Sequence, residues 1–96
     1  MTNSINTPLT LPSGVQIPNR LVKAAMTERL ANPHNEVTDR HLNLYRAWGQ
    51  GGAGMHITGN VLIDRRNLEA PGNVVIDAMP SNEHAVMLAK WAEAIK

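Results

Sequence analysis

The sequence predicts an α/β fold in the order hairpin, strand, helix, strand, helix. Two short apolar runs, residues 21–26 and 55–58, are bounded by turn residues and are too short for helices, which is typical of buried parallel strands. Each run is followed by a segment with apolar residues spaced three and four apart, the pattern of a helix with one apolar face. Because parallel strands need a long crossover connection, this alternation indicates βα units.

An N-terminal hairpin is predicted ahead of the first of these strands. Residues 9–11 and 15–17 are short alternating runs that flank the Pro-Ser-Gly sequence at 12–14. Glycine adopts positive φ at little cost, so Gly14 favours a tight turn between them.

The first helix has recognisable start and stop signals. Thr38 is the predicted N-cap, Asp39 in the first turn complements the helix dipole, and Val37 with Leu42 fits a hydrophobic staple. The glycine cluster at residues 49–54 is predicted to end the helix. Apolar residues at helical spacing within it are Leu42, Tyr45 and Trp48.

The second strand is expected to pause at Gly59 and to resume over residues 61–63. Residues 74–76 are predicted to form a short extended piece within a loop, not a barrel strand. Ser81 is the predicted N-cap of the last helix. The apolar stripe expected on that helix consists of Ala85, Leu88, Ala92 and Ile95.

Composition narrows the possible partners. The 96 residues are 43% hydrophobic and carry a formal net charge of +1. Such a small net charge would not attract nucleic acid or an anionic membrane, so neither partner is expected. The absence of cysteine excludes disulfides and thiolate metal sites and favours an intracellular location. With no signal-like start and no long apolar window, we expect a cytoplasmic protein.

Both predicted strands end in small or hydroxyl-bearing residues. The first run continues Ala24-Ala-Met-Thr27, and the second continues into the His-Ile-Thr-Gly-Asn sequence at 56–60. Ligands of parallel α/β sheets collect at such carboxyl ends. A flat cofactor there would need small residues that let the backbone approach and a donor such as Thr27.

These residues resemble the opening of the old yellow enzyme family. The sequences at 17–28 and 51–60 carry the resemblance, which extends from about Leu9 to the last helix and is greatest for the branch related to 2,4-dienoyl-CoA reductase. The family comprises flavin-dependent ene reductases built on a TIM barrel. The resemblance implies the N-terminal hairpin and first two βα units of a (β/α)₈ barrel. Such barrels need roughly 250 residues, so the barrel is incomplete in this chain, and residues 1–96 form an N-terminal fragment of one flavin-binding domain.

The resemblance also implies a function. The complete protein would be an FMN-dependent enzyme that takes hydride from NADH or NADPH and passes it, through the flavin, to a small-molecule activated alkene. Ala25, Met26 and Thr27 would lie against the isoalloxazine ring, and Gly59 would be the small residue over its pyrimidine side. The family's substrate-binding and proton-donating residues have no counterparts here, so no catalytic residue is expected within the chain.

The residues alone also allow simpler roles at these positions. Thr27 could merely cap a strand end, and Gly59 could be a bulge in a strand. Glu28 and Arg29 could line a substrate mouth or pair with each other, but a solvated loop is expected for both. Lys23 could face either side of its strand, and it would need a carboxylate partner if it pointed into a dry barrel.

Other polar residues are expected to be structural. Arg20 is predicted to be a buried guanidinium that ties the hairpin to the barrel floor. The charge cluster Asp64, Arg65 and Arg66 could contact an anionic substrate, but solvated ion pairs are expected. His34, His41, His56 and His84 lack ligand spacing, so no metal site is expected, and His56 is predicted to be a hydrogen-bonded strand residue.

A second hypothesis concerns the chain by itself. Two parallel strands leave open edges and half-covered apolar faces, which favour association. The chain could therefore be a non-catalytic barrel fragment or a self-associating module. Its partner would then be another copy or the remainder of the barrel.

Overall fold

The computed structural model describes residues 4–96. The predicted N-terminal hairpin is confirmed. Strands β1 (Leu9–Thr10) and β2 (Gln16–Ile17) pair antiparallel, with Leu9 opposite Ile17. Gly14 has φ of +93°, the conformation for which the turn requires glycine.

A parallel βαβ unit follows the hairpin. Strand β3 (Val22–Lys23) is joined by helix α1 (Asp39–Gly49) to strand β4 (Met55–His56), with Val22 opposite Met55 and Lys23 opposite His56. Two backbone hydrogen bonds, from Gly54 N to Leu21 O and from Ile57 N to Lys23 O, extend the pairing to both sides at 3.0 Å each. The regular strands are shorter than the predicted runs, at two residues each.

A second parallel pair lies outside this sheet. Strand β5 (Val61–Leu62) pairs with β6 (Val74–Val75), and residue 75 also donates its amide to Asn35 O at 2.9 Å. Both residues of β6 are buried. The prediction that residues 74–76 lie extended within a loop is wrong for residues 74–75, which form a paired and buried strand, although this strand does not join the β3–β4 sheet.

Helix α1 begins at the predicted cap, but the cap works through a different pair of atoms. The backbone N–H of Thr38 donates to His41 Nδ1 at 3.1 Å, while the Thr38 hydroxyl donates to Leu30 O at 2.8 Å. The proposed staple residues Val37 and Leu42 are both buried in the same core.

Helix α2 (Asn82–Ala94) has Ser81 as its predicted N-cap, whose hydroxyl oxygen accepts from the His84 amide at 3.1 Å. The predicted apolar stripe is wrong by part of a turn, since Ala85 and Ala92 are exposed. The buried face instead carries His84, Trp91 and Ala94, with Leu88 and Ile95 partly buried beside them.

Aromatic packing between the two helices explains why α2 buries this face and not the predicted one. The Trp91 ring lies 5.2 Å from the Tyr45 ring and 5.3 Å from the His41 ring, measured between centroids. An indole buries far more apolar area than the methyl group of an alanine, so Trp91 decides which face turns inward. The buried core cluster consists of Val37, Leu42, Tyr45, Val74, Trp91 and Ala94.

Within residues 4–96, no helix is long and apolar enough to cross a bilayer.

Because His41 takes part in the cap of α1, we expect the stability of the folded chain to depend on pH. Burial, with a smaller contribution from Arg40, lowers the pKa of His41 below its usual 6.5. The unfolded chain therefore takes up this proton more readily than the folded chain. The stabilisation is complete above pH 6.5 and is lost as the pH falls through the lower pKa of the folded state.

We expect His41→Gln to remove this contribution, while the exposed His34→Gln leaves it in place. Urea denaturation between about pH 7 and pH 5 would measure the difference in unfolding free energy between each variant and the parent chain. That difference should shrink with falling pH for His41→Gln and stay constant for His34→Gln. A pH-independent difference for His41→Gln would contradict the assignment.

Candidate functional site

The candidate site lies where β3 and β4 end. Because the two strands are parallel and in register, their carboxyl ends emerge side by side. A Cβ built on Gly59 would collide with the Met26 carbonyl oxygen, so the two segments remain adjacent beyond the regular strands. Residues 26–27 and 58–59 therefore lie side by side at the ends of two adjacent parallel strands.

Three of the predicted cofactor-binding residues form an exposed strip after β3. Ala25, Met26 and Thr27 are all exposed, and 54% of Met26 is accessible despite its apolar side chain. Small residues beside a hydroxyl and a flexible thioether suit the close approach of a flat aromatic ligand. These three residues could therefore hold a flat aromatic ligand.

Gly59 is buried, unlike the strip beside it. A side chain there would meet both the Met26 carbonyl and the Glu28 carboxylate, so the chain's own packing requires glycine. Its amide donates to the Tyr45 hydroxyl oxygen at 3.1 Å and is therefore already engaged. Gly59 fits the site as the residue that lets the two strand ends approach each other, and its N–H is not free to bind a ligand.

Tyr45 and Glu28 complete a polar chain that begins at Gly59. The Tyr45 hydroxyl, buried at the end of a side chain that is 2% exposed, donates to Glu28 Oε2 at 3.1 Å. Burial raises the pKa of Tyr45 to about 12. Burial also raises the pKa of Glu28, although the Tyr45 hydrogen bond and the charge of Lys23 oppose that rise.

The expectation that Glu28 is merely a solvated loop residue is therefore wrong. The sequence carried one usable signal, since a tyrosine on the apolar face of α1 needs a partner for its hydroxyl. Which residue would supply that partner depended on the tertiary fold. Arg29, by contrast, is exposed as expected and donates from Nε to Pro71 O at 3.0 Å.

The structure resolves which way Lys23 faces. Its Nζ lies 4.4 Å from the centroid of the Trp48 ring and donates to Ala24 O at 2.6 Å. Lys23 therefore points toward helix α1 and is held by a cation–π contact, with no need of a buried carboxylate. Its register partner His56 shares that face, and its ring Nε2 lies 3.2 Å from Trp48 O, so the prediction of a hydrogen-bonded strand histidine is confirmed.

Arg20 was predicted to be a buried tie, but it is exposed. It does reach the hairpin region, donating from Nε to Thr7 Oγ1 at 3.0 Å and from Nη2 to Pro8 O at 3.2 Å. The buried residue is its neighbour Asn19, whose shorter side chain fits beneath the glycine turn. Asn19 donates to Gly52 O at 2.6 Å and accepts from the amide of Gly54 at 2.8 Å.

The charge cluster forms exposed ion pairs, as predicted. Arg66 pairs with Asp64 at 2.9 Å, and Arg65 makes a two-pronged contact with Asp77, whose shorter distance is 2.7 Å. Across residues 4–96, no group of three or more His, Cys, Asp or Glu side chains could hold a metal ion.

Comparison with known proteins identifies relatives of this α/β segment. The chain is 37% identical over 89 residues to the NADH-dependent flavin oxidoreductase iliE of Hypocrea jecorina, covering 93% of this chain and 22% of that protein. It is 39% identical over 88 residues to the NADH-dependent flavin oxidoreductase nadA of Aspergillus parasiticus, covering 82% of this chain and 20% of that protein.

A bacterial relative is also found. The NADH:fumarate oxidoreductase of Klebsiella pneumoniae is 39% identical over 89 residues, covering 93% of this chain and 9% of that protein. The chain thus spans about a fifth or less of the length of these curated relatives. No family model matches the sequence.

Solved structures confirm the fold class. A 2-naphthoyl-CoA reductase complex superposes with a TM-score of 0.80 at 21% identity, covering 95% of this chain and 13% of that one. Morphinone reductase superposes with a TM-score of 0.72 at 22% identity, covering 95% of this chain and 22% of that one. These are TIM-barrel enzymes of the old yellow enzyme type, whereas residues 4–96 here form an α/β segment without a closed sheet.

The predicted resemblance is therefore confirmed: this chain is related in sequence to NADH-dependent flavin oxidoreductases and shares the fold of old yellow enzyme family members. The relatives' names specify a flavin and NADH, in agreement with the predicted cofactors.

The buried environment of Gly59 predicts that Gly59→Ala is destabilising. The added methyl group would push on the Met26 carbonyl and the Glu28 carboxylate, and overpacking of this kind costs about 1–3 kcal/mol. Urea denaturation would measure the loss, with Asn60→Ala at the exposed neighbouring position as the control. Equal stability of Gly59→Ala and the parent chain would contradict the close approach of the two strand ends.

Proposed function

We propose that this chain forms the N-terminal part of the flavin site of an FMN-dependent oxidoreductase. The observation that carries the proposal is the side-by-side arrangement of the exposed strip at residues 25–27 with Gly59, at the carboxyl ends of two parallel strands. The sequence relationship to NADH-dependent flavin oxidoreductases supports the same function. On this proposal, residues 1–96 form the hairpin and first two βα units of a single TIM-barrel domain.

Each strand-end residue has a distinct role in the proposed site. Ala25 and Met26 offer a low, apolar bed for the isoalloxazine ring, and Thr27 offers a hydroxyl that can donate a hydrogen bond to it. Gly59 keeps the second strand end close to Met26. When bound, FMN supplies hydride transfer, and these residues supply its position and polar environment.

The proposed reaction is the transfer of hydride from NADH or NADPH, through the flavin, to an activated alkene. The relative from Klebsiella pneumoniae is named for fumarate, an alkene conjugated with two carboxylates, which supports this substrate class. The residues that bind the alkene and donate its proton would come from elsewhere in the complete protein. We also propose a cytoplasmic location, in keeping with the absence of cysteine.

One buried polar atom supports a larger barrel. Trp91 is 8% exposed. Among the buried side-chain nitrogen and oxygen atoms of residues 4–96, its indole Nε1 alone has no hydrogen-bond partner. Trp91 also lines a cavity of about 150 Å³ together with His56, Leu88 and Ile95. A further segment packed here would fill the cavity and could supply the missing acceptor.

The proposal predicts a yellow protein. The complete protein that carries this sequence should copurify with FMN or bind it on reconstitution, as measured by absorbance in the blue and by release of free FMN on denaturation. Thr27→Ala should weaken FMN binding by about tenfold through loss of one hydrogen bond, whereas the hairpin variant Thr10→Ala should leave it unchanged. A folded complete protein that binds no flavin would refute the proposal.

A second candidate function is favoured by one face of the β3–β4 sheet. Val22, Met55 and Ile57 lie on the side opposite the helices and are 50%, 41% and 46% exposed. Adjacent apolar side chains on an open sheet favour association with another copy or with further strands.

The isolated chain is accordingly expected to self-associate, and Val22→Lys combined with Ile57→Lys should shift it toward the monomer. Sedimentation velocity would measure the distribution, with Val86→Lys on the exposed side of α2 as the matched control. A monomeric parent chain at all concentrations would exclude self-association.

A further inference from the structure

Tyr45 connects the hydrophobic core to the candidate flavin site. Its ring packs edge-on against Trp48 at 5.0 Å and Trp91 at 5.2 Å between centroids, which fixes the ring within the core. Its hydroxyl emerges at the opposite end, where β3 and β4 finish. A group with a rigid body and one polar tip is suited to holding flexible backbone in place.

The two hydrogen bonds of the hydroxyl have a defined direction. The backbone amide of Gly59 can only donate, so the Tyr45 oxygen accepts from it at 3.1 Å. The hydroxyl proton is then free for Glu28 Oε2, also at 3.1 Å. One side-chain oxygen thus joins two segments that are more than thirty residues apart in sequence.

The position of the two partners gives this link its significance. Glu28 directly follows Thr27, and Gly59 directly follows Thr58. Glu28 is half-buried, and Lys23, the nearby cation, has its Nζ engaged by the Trp48 ring and Ala24 O. The Glu28 carboxylate is therefore held by Tyr45, with no direct ion pair to a lysine or arginine among residues 4–96.

We propose that Tyr45 is a positioning residue for the flavin: through Glu28 and the Gly59 amide, its hydroxyl sets the separation between the two strand ends on which the ring lies. This inference rests on the proposed function. Tyr45 does not itself touch the flavin. The raised pKa of Tyr45 accords with a buried link whose proton stays on the tyrosine.

The test uses the complete protein and its FMN dissociation constant, measured by quenching of FMN fluorescence. Tyr45→Phe keeps the ring and removes both hydrogen bonds, so FMN binding should weaken by about tenfold or more. Leu42→Met, on the buried face of the same helix, is the packing control and should stay within about twofold because it conserves volume.

Variants at Glu28 separate positioning from general stability. Glu28→Gln keeps an acceptor for the Tyr45 hydroxyl and should bind FMN within about threefold of the parent, whereas Glu28→Ala should weaken binding to the same extent as Tyr45→Phe. Because both residues act through one link, the double variant Tyr45→Phe/Glu28→Ala should be no more than about twofold weaker than either single variant. Should Tyr45→Phe fail to fold, the Glu28 pair still decides the question.

Three outcomes would overturn the inference. FMN binding of both Tyr45→Phe and Glu28→Ala within about twofold of the parent would exclude a positioning role, and fully additive losses would exclude a shared link. A loss in Leu42→Met equal to that in Tyr45→Phe would reduce the effect to core stability. Failure of the proposed function has a different signature, since the folded parent protein would then bind no FMN, and the inference would fall with it.

Discussion

The parallel pairing of β3 with β4 is the constraint on which the candidate site depends. The crossover through α1 brings both strands back in the same direction, so two polar ends that are distant in sequence meet at one edge. An antiparallel arrangement of the same residues would place those ends at opposite edges. The register of Val22 with Met55 then fixes which residues face each other beyond the strands, and it brings Gly59 against the Met26 carbonyl.

Helix α1 does more than connect the two strands. Its inner face supplies Trp48, which covers the Lys23 ammonium, and Tyr45, which binds both strand ends. Asn19 performs a similar task at the opposite end of β3, where its amide group spans the glycine turn that leads into β4. Side chains therefore tie the two strands together at both ends, which compensates for the short backbone ladder between them.

Signals that are local in sequence were sufficient for the order of elements. Gly14, Thr38 and Ser81 each mark a turn or a helix start through the geometry of their own few residues, and the structure places an element boundary at each. The face that α2 buries was not predictable in this way, because it depends on Trp91 reaching the rings of His41 and Tyr45 on another helix. The spacing of small apolar residues on α2 predicted one buried face, but the larger Trp91 side chain determines which face is buried.

In the candidate site, too, some features were predictable from local sequence and others depended on tertiary contacts. Its location followed from two strand ends rich in small and hydroxyl residues, a pattern visible in the sequence alone. The link from Gly59 through Tyr45 to Glu28 was not predicted, because these hydrogen-bonding groups become neighbours only in the folded chain. For the same reason Glu28 was mistaken for a solvated residue, and the buried role of Asn19 was assigned to Arg20.

The exchange rate of the Gly59 amide hydrogen tests this account most directly. An amide that donates to a buried tyrosine hydroxyl between two paired strand ends should exchange at least about a hundredfold more slowly than in an unstructured peptide, and Tyr45→Phe should abolish most of that protection. Nuclear magnetic resonance resolves this single amide. Exchange of Gly59 at the unstructured rate in the folded parent protein would contradict the arrangement of the two strand ends.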